Sequence, residues 1–317
     1  MQNIIFQKAD KIVMKQILRV TDENDDEIRI DSYLSDYLDI SRAQVQKLIK
    51  SGNVLINGEN KKPSLKVRLN DIIEIEETEE KTQINPQNIP LDIVWEDENM
   101  LVVNKPSGML THPTQTEQKN TLVNALLYKY GENLSDINGL FRRGIVHRLD
   151  RNTSGLLMIA KNNKTHEYLA QQIKDRLITK KYLAIVKGII HYDEGEIDEP
   201  IARNPKNPVK MMISSDGKPS LTLFKVLKRY KDCTYVELDL KTGRTHQIRV
   251  HMSYMKTPVL NDTLYGAGNY KVKTQEQVLQ SYKLSFTRPF SDDIISLQIE
   301  PDEKIKKVLN YLEQQKY

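Results

Sequence analysis

Between residues 76 and 88 the chain reads EETEEKTQINPQN, a polar, acid-rich, proline-containing stretch with nothing periodic to pack. Such a break divides the chain more sharply than any other feature. We expect a first unit over residues 1–78, a linker over 79–89 and a larger unit over 90–317. With 317 residues, 38% of them hydrophobic and 28% charged, the chain is long enough for one large core and one small one.

The first unit opens near Ile17 with strand-like Ile17, Leu18 and Val20 and continues into two short helical patterns. Asp31 is placed to cap the first, with Leu34, Tyr37 and Leu38 on one face. Ser41 is placed to cap the second, with Val45, Leu48 and Ile49 at helical spacing. Val54, Leu55 and Ile56 then run into Asn57-Gly58, a strong hairpin signal, and Leu65, Val67 and Leu69 alternate with Lys66 and Arg68 on the return. In the larger unit, strand-like runs (IPLDIVW, MLVVN, GLLMIA, KYLAIV, TYVELDL, HQIRVHM, IISLQIE) mix with helical stretches at 121–130 and 164–176 and an amphipathic C-terminal helix carrying Ile305, Val308, Leu309 and Leu312. That irregular order predicts an α+β fold around a mixed, largely antiparallel sheet.

Net charge is only +4, so its distribution carries more than its sum. Residues 41–68 hold seven Lys or Arg against Glu59 alone, and 141–188 hold eleven against Asp150, Glu167 and Asp175. One cysteine, Cys233, excludes an intrachain disulfide and any zinc site built on several thiolates. No stretch reads as a signal peptide or membrane helix, so a cytoplasmic protein is expected.

Chemistry concentrates in GIVHRLDRNTSGLLMIAK, residues 144–161, where a polar loop separates two apolar runs. Asp150 stands there between Arg148 and Arg151, and neighbouring guanidiniums favour its charged form, which suits a nucleophile and not a general acid. The plainer reading is a loop aspartate capping the amides near Thr153 and Ser154. Tyr182 alone reads as a half-buried strand residue. Arg249, alternating with Ile248 and Val250, reads as a strand arginine that needs a carboxylate if it points inward. His147, His246 and His251, taken with Asp262, raise a metal site. His246 and His251 would face opposite sides of a regular strand and lack a carboxylate cluster, so no metal and no cofactor is expected. His112, beside Pro113, reads as a turn residue. Ser154 lacks the glycines of a nucleophile elbow.

Four separated segments change this picture: NKPSGMLTHP at 104–113, HRLDRNTSG at 147–155, KKYLAIVKG at 180–188 and LKTGRTHQIRVHM at 240–252. In order and spacing they resemble the RluA/RluC/RluD type of pseudouridine synthase. SRAQVQKLIKSGNVLINGE and its surroundings, residues 28–76, resemble the S-four (αL-type) RNA-binding module. The first resemblance implies that Asp150 is catalytic, that Arg148 enters the RNA stack as the target nucleotide flips out, that Tyr182 packs on the uracil and takes a proton late in the reaction, and that Arg249 pairs with Asp150. The second implies a basic groove, for which Arg42, Lys47, Lys50, Lys61, Lys62 and Lys66 are the phosphate-facing candidates. Together they imply an enzyme acting on large-subunit ribosomal RNA or a pre-ribosomal particle, although some relatives act on transfer RNA; a monomer is assumed. Departures from the family pattern are Asn152, where an acid is common, Lys256-Thr257 before Pro258, and Asn261, where a glycine is usual and a left-handed turn is expected.

Overall fold

A computed structural model describes the chain except residues 1, 9–10, 22–25, 39–41, 81–83, 115, 267, 269, 273, 275 and 316–317. It divides into two compact units, residues 1–83 and 84–317.

The first unit comprises β1 (Gln2–Lys8), β2 (Lys11–Arg19), α1 (Ile30–Leu38), α2 (Arg42–Lys50), β3 (Val54–Ile56) and β4 (Ile72–Glu80), with an antiparallel sheet in the order β1-β2-β4-β3. Val20, Ile30, Leu34, Val45, Ile49, Ile73 and Ile75 fill its core. Three expectations are corrected here. Asn57 and Gly58 do form the tight turn, at φ 52° and 81°, but the strand that returns beside β3 is β4, with Val54 opposite Ile75 and Ile56 opposite Ile73. Residues 65–69 supply only a bridge from Lys66 to Arg29. Asp31 lies inside α1 and caps nothing: its buried carboxylate accepts hydrogen bonds from Arg29, Arg42 and Gln46. The acid-rich stretch is strand as far as Glu80, paired with β2 from Arg19 opposite Ile72 to Lys11 opposite Glu80. Backbone pairing of that kind leaves no mark on the apolar pattern. Ser41, expected to cap α2, lies outside the described residues.

The larger unit runs β5 (Ile93–Glu96), β6 (Met100–Lys105), α3 (Leu122–Tyr130), β7 (Ser154–Ala160), α4 (Asn163–Lys174), β8 (Thr179–Lys187), β9 (Glu194–Asp198), β10 (Ile201–Arg203), β11 (Met211–Ile213), β12 (Leu221–Arg229), β13 (Cys233–Leu240), α5 (Gln247–Tyr254), β14 (Leu279–Thr287), β15 (Ile294–Gln298) and α6 (Glu303–Gln314). Among the described residues, nine strands form one sheet in the order β5-β6-β7-β14-β8-β13-β12-β9, with β15 on the free part of β14. Every pairing is antiparallel except β7 with β14, so the fold is the mixed, largely antiparallel α+β arrangement expected.

Both faces of this sheet are covered. Alternate residues of β7 point to opposite sides: Leu157 and Ile159 join Tyr182, Leu122 of α3 and Ile248 of α5, while Leu156 and Met158 join Leu169 of α4 and Phe286. Ile305, Val308 and Leu312 seat α6 on Leu183 and Ile185. Side-chain caps fix three helix starts, from Thr121, Asn162 and Asp302. Ile84 is buried in the main core and Asn85 accepts a hydrogen bond from Asn124 at 2.8 Å, so the second half of the expected linker packs on the larger unit. Among the described residues no helix is long and apolar enough to cross a membrane.

Candidate active site

The parallel β7–β14 junction builds the site. Gly155 pairs with Ser281, and Ser281 pairs with Tyr182 on the other side, so the loop ending at β7 is laid directly beside the tyrosine of β8. Only glycine permits this approach: Gly155 has φ +115°, and a Cβ there would stand 2.0 Å from the Ser281 carbonyl oxygen.

The loop preceding Gly155 is tied down carbonyl by carbonyl. Leu149 O accepts from Thr111 Oγ1 at 2.8 Å. Arg151 O accepts from buried Lys105 Nζ at 3.0 Å, and Asn152 O accepts from Ser107 Oγ at 2.9 Å and from Lys304 Nζ, at the start of α6, at 3.1 Å. Ser154 Oγ donates to Asp302 at 2.5 Å, so the C-terminal helix clasps the loop twice. Asn152 donates from Nδ2 to Glu276, a carboxylate that an acid in place of Asn152 would repel. Held in this way, the Asp150 backbone has little freedom.

The Asp150 side chain caps no amide, since Thr153 N donates to the Asp150 backbone oxygen. Its carboxylate instead accepts from Arg249 Nη1 at 3.1 Å and lies 3.8 Å from His246 Nε2. Arg249 is therefore inward, as its expected partner required, but the segment around it is helix α5 and not a strand. Gln247, Ile248, Arg249, Val250, His251 and Met252 are all buried; a helix enclosed all round shows no 3.6-residue stripe, and its β-branched residues read as strand. Arg249 also has a second partner, one that the sequence suggests only as a metal ligand. Asp262, 1% exposed, accepts from Nε at 2.6 Å and from Nη2 at 3.0 Å. Asn261 holds the left-handed turn at φ 60°, and Asp262 Oδ1 accepts from the amides of Leu264 and Tyr265. Tyr265 in turn packs its ring 5.0 Å from the Arg249 guanidinium.

The histidines are separately engaged. His147 Nε2 accepts the Met158 amide at 3.0 Å, so that nitrogen carries no proton, and burial with the nearby Lys180 charge pushes its pKa down to about 3. His251 sits between Thr222 Oγ1 and the Glu199 carbonyl. His246 bonds the Tyr265 hydroxyl at 2.8 Å. His112 does more than make a turn: it bonds Pro113 O through Nδ1 and Arg148 Nη1, at 3.2 Å, through Nε2. Burial, then the Arg148 and Arg142 charges, lower its pKa and keep it a neutral acceptor for Arg148.

Asp150, Arg148, Tyr182 and Arg249 all line one cavity of about 460 Å³, within the roughly 300–1,000 Å³ of small-molecule sites. Lys174, Arg176, Lys180, Lys241 and Arg244 line it too, and Asp150 is the one acid among its described lining residues. The exposed Lys174, Arg176 and Arg244 thus attract a polyanion at the rim, while the interior holds the Asp150 carboxylate and the buried Lys180. Tyr182 is buried, and burial, followed in smaller part by the Asp150 charge, raises its phenol above the ordinary value.

In the first unit the expected phosphate-facing residues divide. Arg42 is committed to Asp31 at 3.0 Å, Lys66 to Glu27 at 2.9 Å and Lys61 to Glu59. Lys47, Lys50 and Lys62 are exposed and have no ion-pair partner among the described residues.

A central sheet bearing one clamped carboxylate in a cation-lined cavity, preceded by a separate small module with exposed lysines, fits a protein that takes a polyanion such as a nucleic acid. Residues 99–254 match the RNA pseudouridylate synthase family and 28–73 match the S4 domain. The chain is 40% identical over 301 residues to the uncharacterized RNA pseudouridine synthase YlyB of Bacillus subtilis (strain 168), covering 94% of this chain and 99% of that one. Ribosomal large subunit pseudouridine synthase D of Buchnera aphidicola subsp. Schizaphis graminum is 38% identical over 300 residues, covering 90% and 94%. Among solved structures, Human RNA Pseudouridylate Synthase Domain Containing 1 matches with a TM-score of 0.55 at 26% identity, covering 72% of this chain and 96% of that one. The chain belongs to the RNA pseudouridylate synthase family, and it isomerises uridine in RNA to pseudouridine.

Proposed function

We propose that the substrate is large-subunit ribosomal RNA, free or in a pre-ribosomal particle, and that the enzyme acts on it as a cytoplasmic monomer without a cofactor. Relatives named for the large ribosomal subunit support the substrate, and the S4 module with exposed Lys47, Lys50 and Lys62 supplies cations for phosphate. Arg42, Lys61 and Lys66 contribute more weakly, because each shares its charge with a carboxylate.

The observation that carries the catalytic reading is Asp150, the lone acid among the described residues lining the cavity, held by Arg249 on the same lining as Tyr182. A uridine inside structured RNA must leave its stack before C1′ is accessible, at a cost of a few kcal/mol. Arg148, steadied by His112, enters the gap. The Asp150 carboxylate then either attacks C1′ or takes the 2′ proton; both routes detach uracil from C1′. The ring turns within the cavity, C5 bonds to C1′, and C5 loses its proton. A phenol held neutral by burial accepts that proton only as it passes its own onward, and Asp150 is the carboxylate at hand.

Pseudouridine mapping of total RNA from cells lacking the protein, complemented with wild type or Asp150→Asn, tests this. We expect discrete sites in large-subunit ribosomal RNA to vanish and to return only with wild type. Restoration by Asp150→Asn would refute the role given to Asp150, and loss of sites in transfer RNA alone would refute the substrate.

A further inference from the structure

Lys180 stands two residues before Tyr182 on β8. Strand alternation therefore turns both side chains to one face of the sheet, roughly 6.5–7 Å apart along the strand. Lys180 is 8% exposed and lines the catalytic cavity. Across from it is Gly243, where an added Cβ would lie 3.7 Å from Lys180 Nζ.

The surroundings of this ammonium differ from those of the other buried lysines nearby. Lys105 donates to three carbonyls, those of Pro106, Met109 and Arg151, and Lys304 donates to Ser107 Oγ and to the carbonyls of Asn152 and Gln277. Lys180 Nζ has no hydrogen-bond or ion-pair partner among the described residues. The charge of Asp239 acts on it from beyond ion-pair distance; Oδ2 of that carboxylate is held by Lys241 at 2.7 Å, and its buried Oδ1 has no hydrogen-bond partner among the described residues. The side chain is buried along its stem while its ammonium faces the cavity, so a ligand group entering there can complete the hydrogen bonds that the protein leaves open. Its position, one pleat from the tyrosine that would carry the base, says which ligand group that is.

Cleavage of C1′–N1 leaves the bonding pair on N1, so uracil departs as an anion whose charge spreads over N1, O2 and O4. We propose that Lys180 donates a hydrogen bond to a carbonyl oxygen of the flipped uracil and stabilises the anion formed as C1′–N1 breaks. The proton count closes without consuming Lys180. C5 forms the new bond to C1′ and releases a proton, N1 gains one, and the ammonium keeps its three. Charge stabilisation aimed at the leaving group serves either route open to Asp150. The inference rests on the reading of Asp150 and Tyr182 above.

The test uses the full chain and a ribosomal RNA transcript containing a uridine located by the mapping experiment, prepared also with 5-fluorouridine at that position. Fluorine withdraws electrons and makes the departing anion less dependent on help from the protein. For Lys180→Met we expect single-turnover loss of uridine to slow by about 10²–10³-fold, with RNA affinity changed less than about threefold. On the 5-fluorouridine transcript the deficit should shrink by about tenfold or more. The melting temperature should change by no more than a few degrees, because Lys180 Nζ holds no hydrogen bond or ion pair among the described residues. An unchanged rate overturns the proposal. So does an equal loss on both transcripts accompanied by weaker RNA binding, which identifies a role in holding phosphate. Failure to fold, or a slower rate explained by a collapse in melting temperature, also overturns it, by showing a structural role. Asp150→Ala is measured alongside: if it turns over normally, the underlying reading fails; if it is inactive while Lys180→Met is normal, only the present inference fails.

Discussion

Replacing Asp262 with alanine strips a buried guanidinium of hydrogen bonds at 2.6 and 3.0 Å and leaves the amides of Leu264 and Tyr265 without their acceptor. Arg249 is 7% exposed, so water does not replace these bonds. Removing one side of a buried pair costs about 3–5 kcal/mol. At about 2–4 °C per kcal/mol for a domain of this size, the melting temperature should fall by roughly 6–20 °C. Activity should fall as well, by about 10²-fold, because the Asp150 carboxylate takes its hydrogen bond from Nη1 of the same arginine. Wild type, Asp262→Ala, Arg249→Met and the double variant form a thermodynamic cycle by urea unfolding at pH 7. The double variant should be about 1–3 kcal/mol less destabilised than the two single losses added together, since Arg249→Met removes the charge that Asp262→Ala strands. Additive losses, or an Asp262→Ala protein that melts with wild type, would refute the view that Asp262 is the anchor of Arg249.

Changing Lys47, Lys50 and Lys62 together to Gln should weaken RNA binding and flatten its dependence on salt by about 0.7–0.9 in log–log slope for each phosphate no longer neutralised; titrations across salt concentrations check it, and a parallel slope would make these lysines a solvated face. His147 is held neutral, with a folded pKa of about 3 against the ordinary 6.5, so stability is complete above about pH 6.5 and declines as the pH falls from there toward 3, when the unfolded chain takes up the proton. His147→Gln, which keeps an acceptor for Met158 N, should reduce that decline by up to about 1.4 kcal/mol per pH unit; denaturant unfolding between pH 7 and 4 measures it, and an unaltered slope counts against the assignment. Lys304→Met should cost turnover more than RNA affinity, because Lys304 holds the Asn152 carbonyl two residues from Asp150; a change confined to affinity would mean that the α6 clasp does not position the loop.

Much of the site is legible in the sequence. Asp150, Tyr182 and Arg249 do line one cavity, and the four separated motifs point to them together, although Tyr182 and Arg249 are ordinary when read singly. The helix of Arg249 reads as strand because burial on all sides erases the amphipathic stripe on which the distinction rests. Strands β12 and β14 leave little trace: LTLFKVLKR and LQSYKLSFT alternate too weakly to stand out. Residues 76–80 read as linker because backbone pairing is silent in side-chain patterns.

Local chemistry in the sequence determined which residues form the turn at Asn57-Gly58, the caps at Thr121 and Asn162, the apolar strands β6, β7 and β8, and the amphipathic α6, because each depends on neighbours within a few positions. Tertiary structure alone decided who meets whom. Asp262 and Asp150 share Arg249 although 112 positions separate them, Lys304 reaches back 152 positions to the Asp150 loop, and buried Lys180 has no hydrogen-bond partner among the described residues. Each of those facts is a long-range balance of burial against pairing, and no local pattern records the outcome of such a balance.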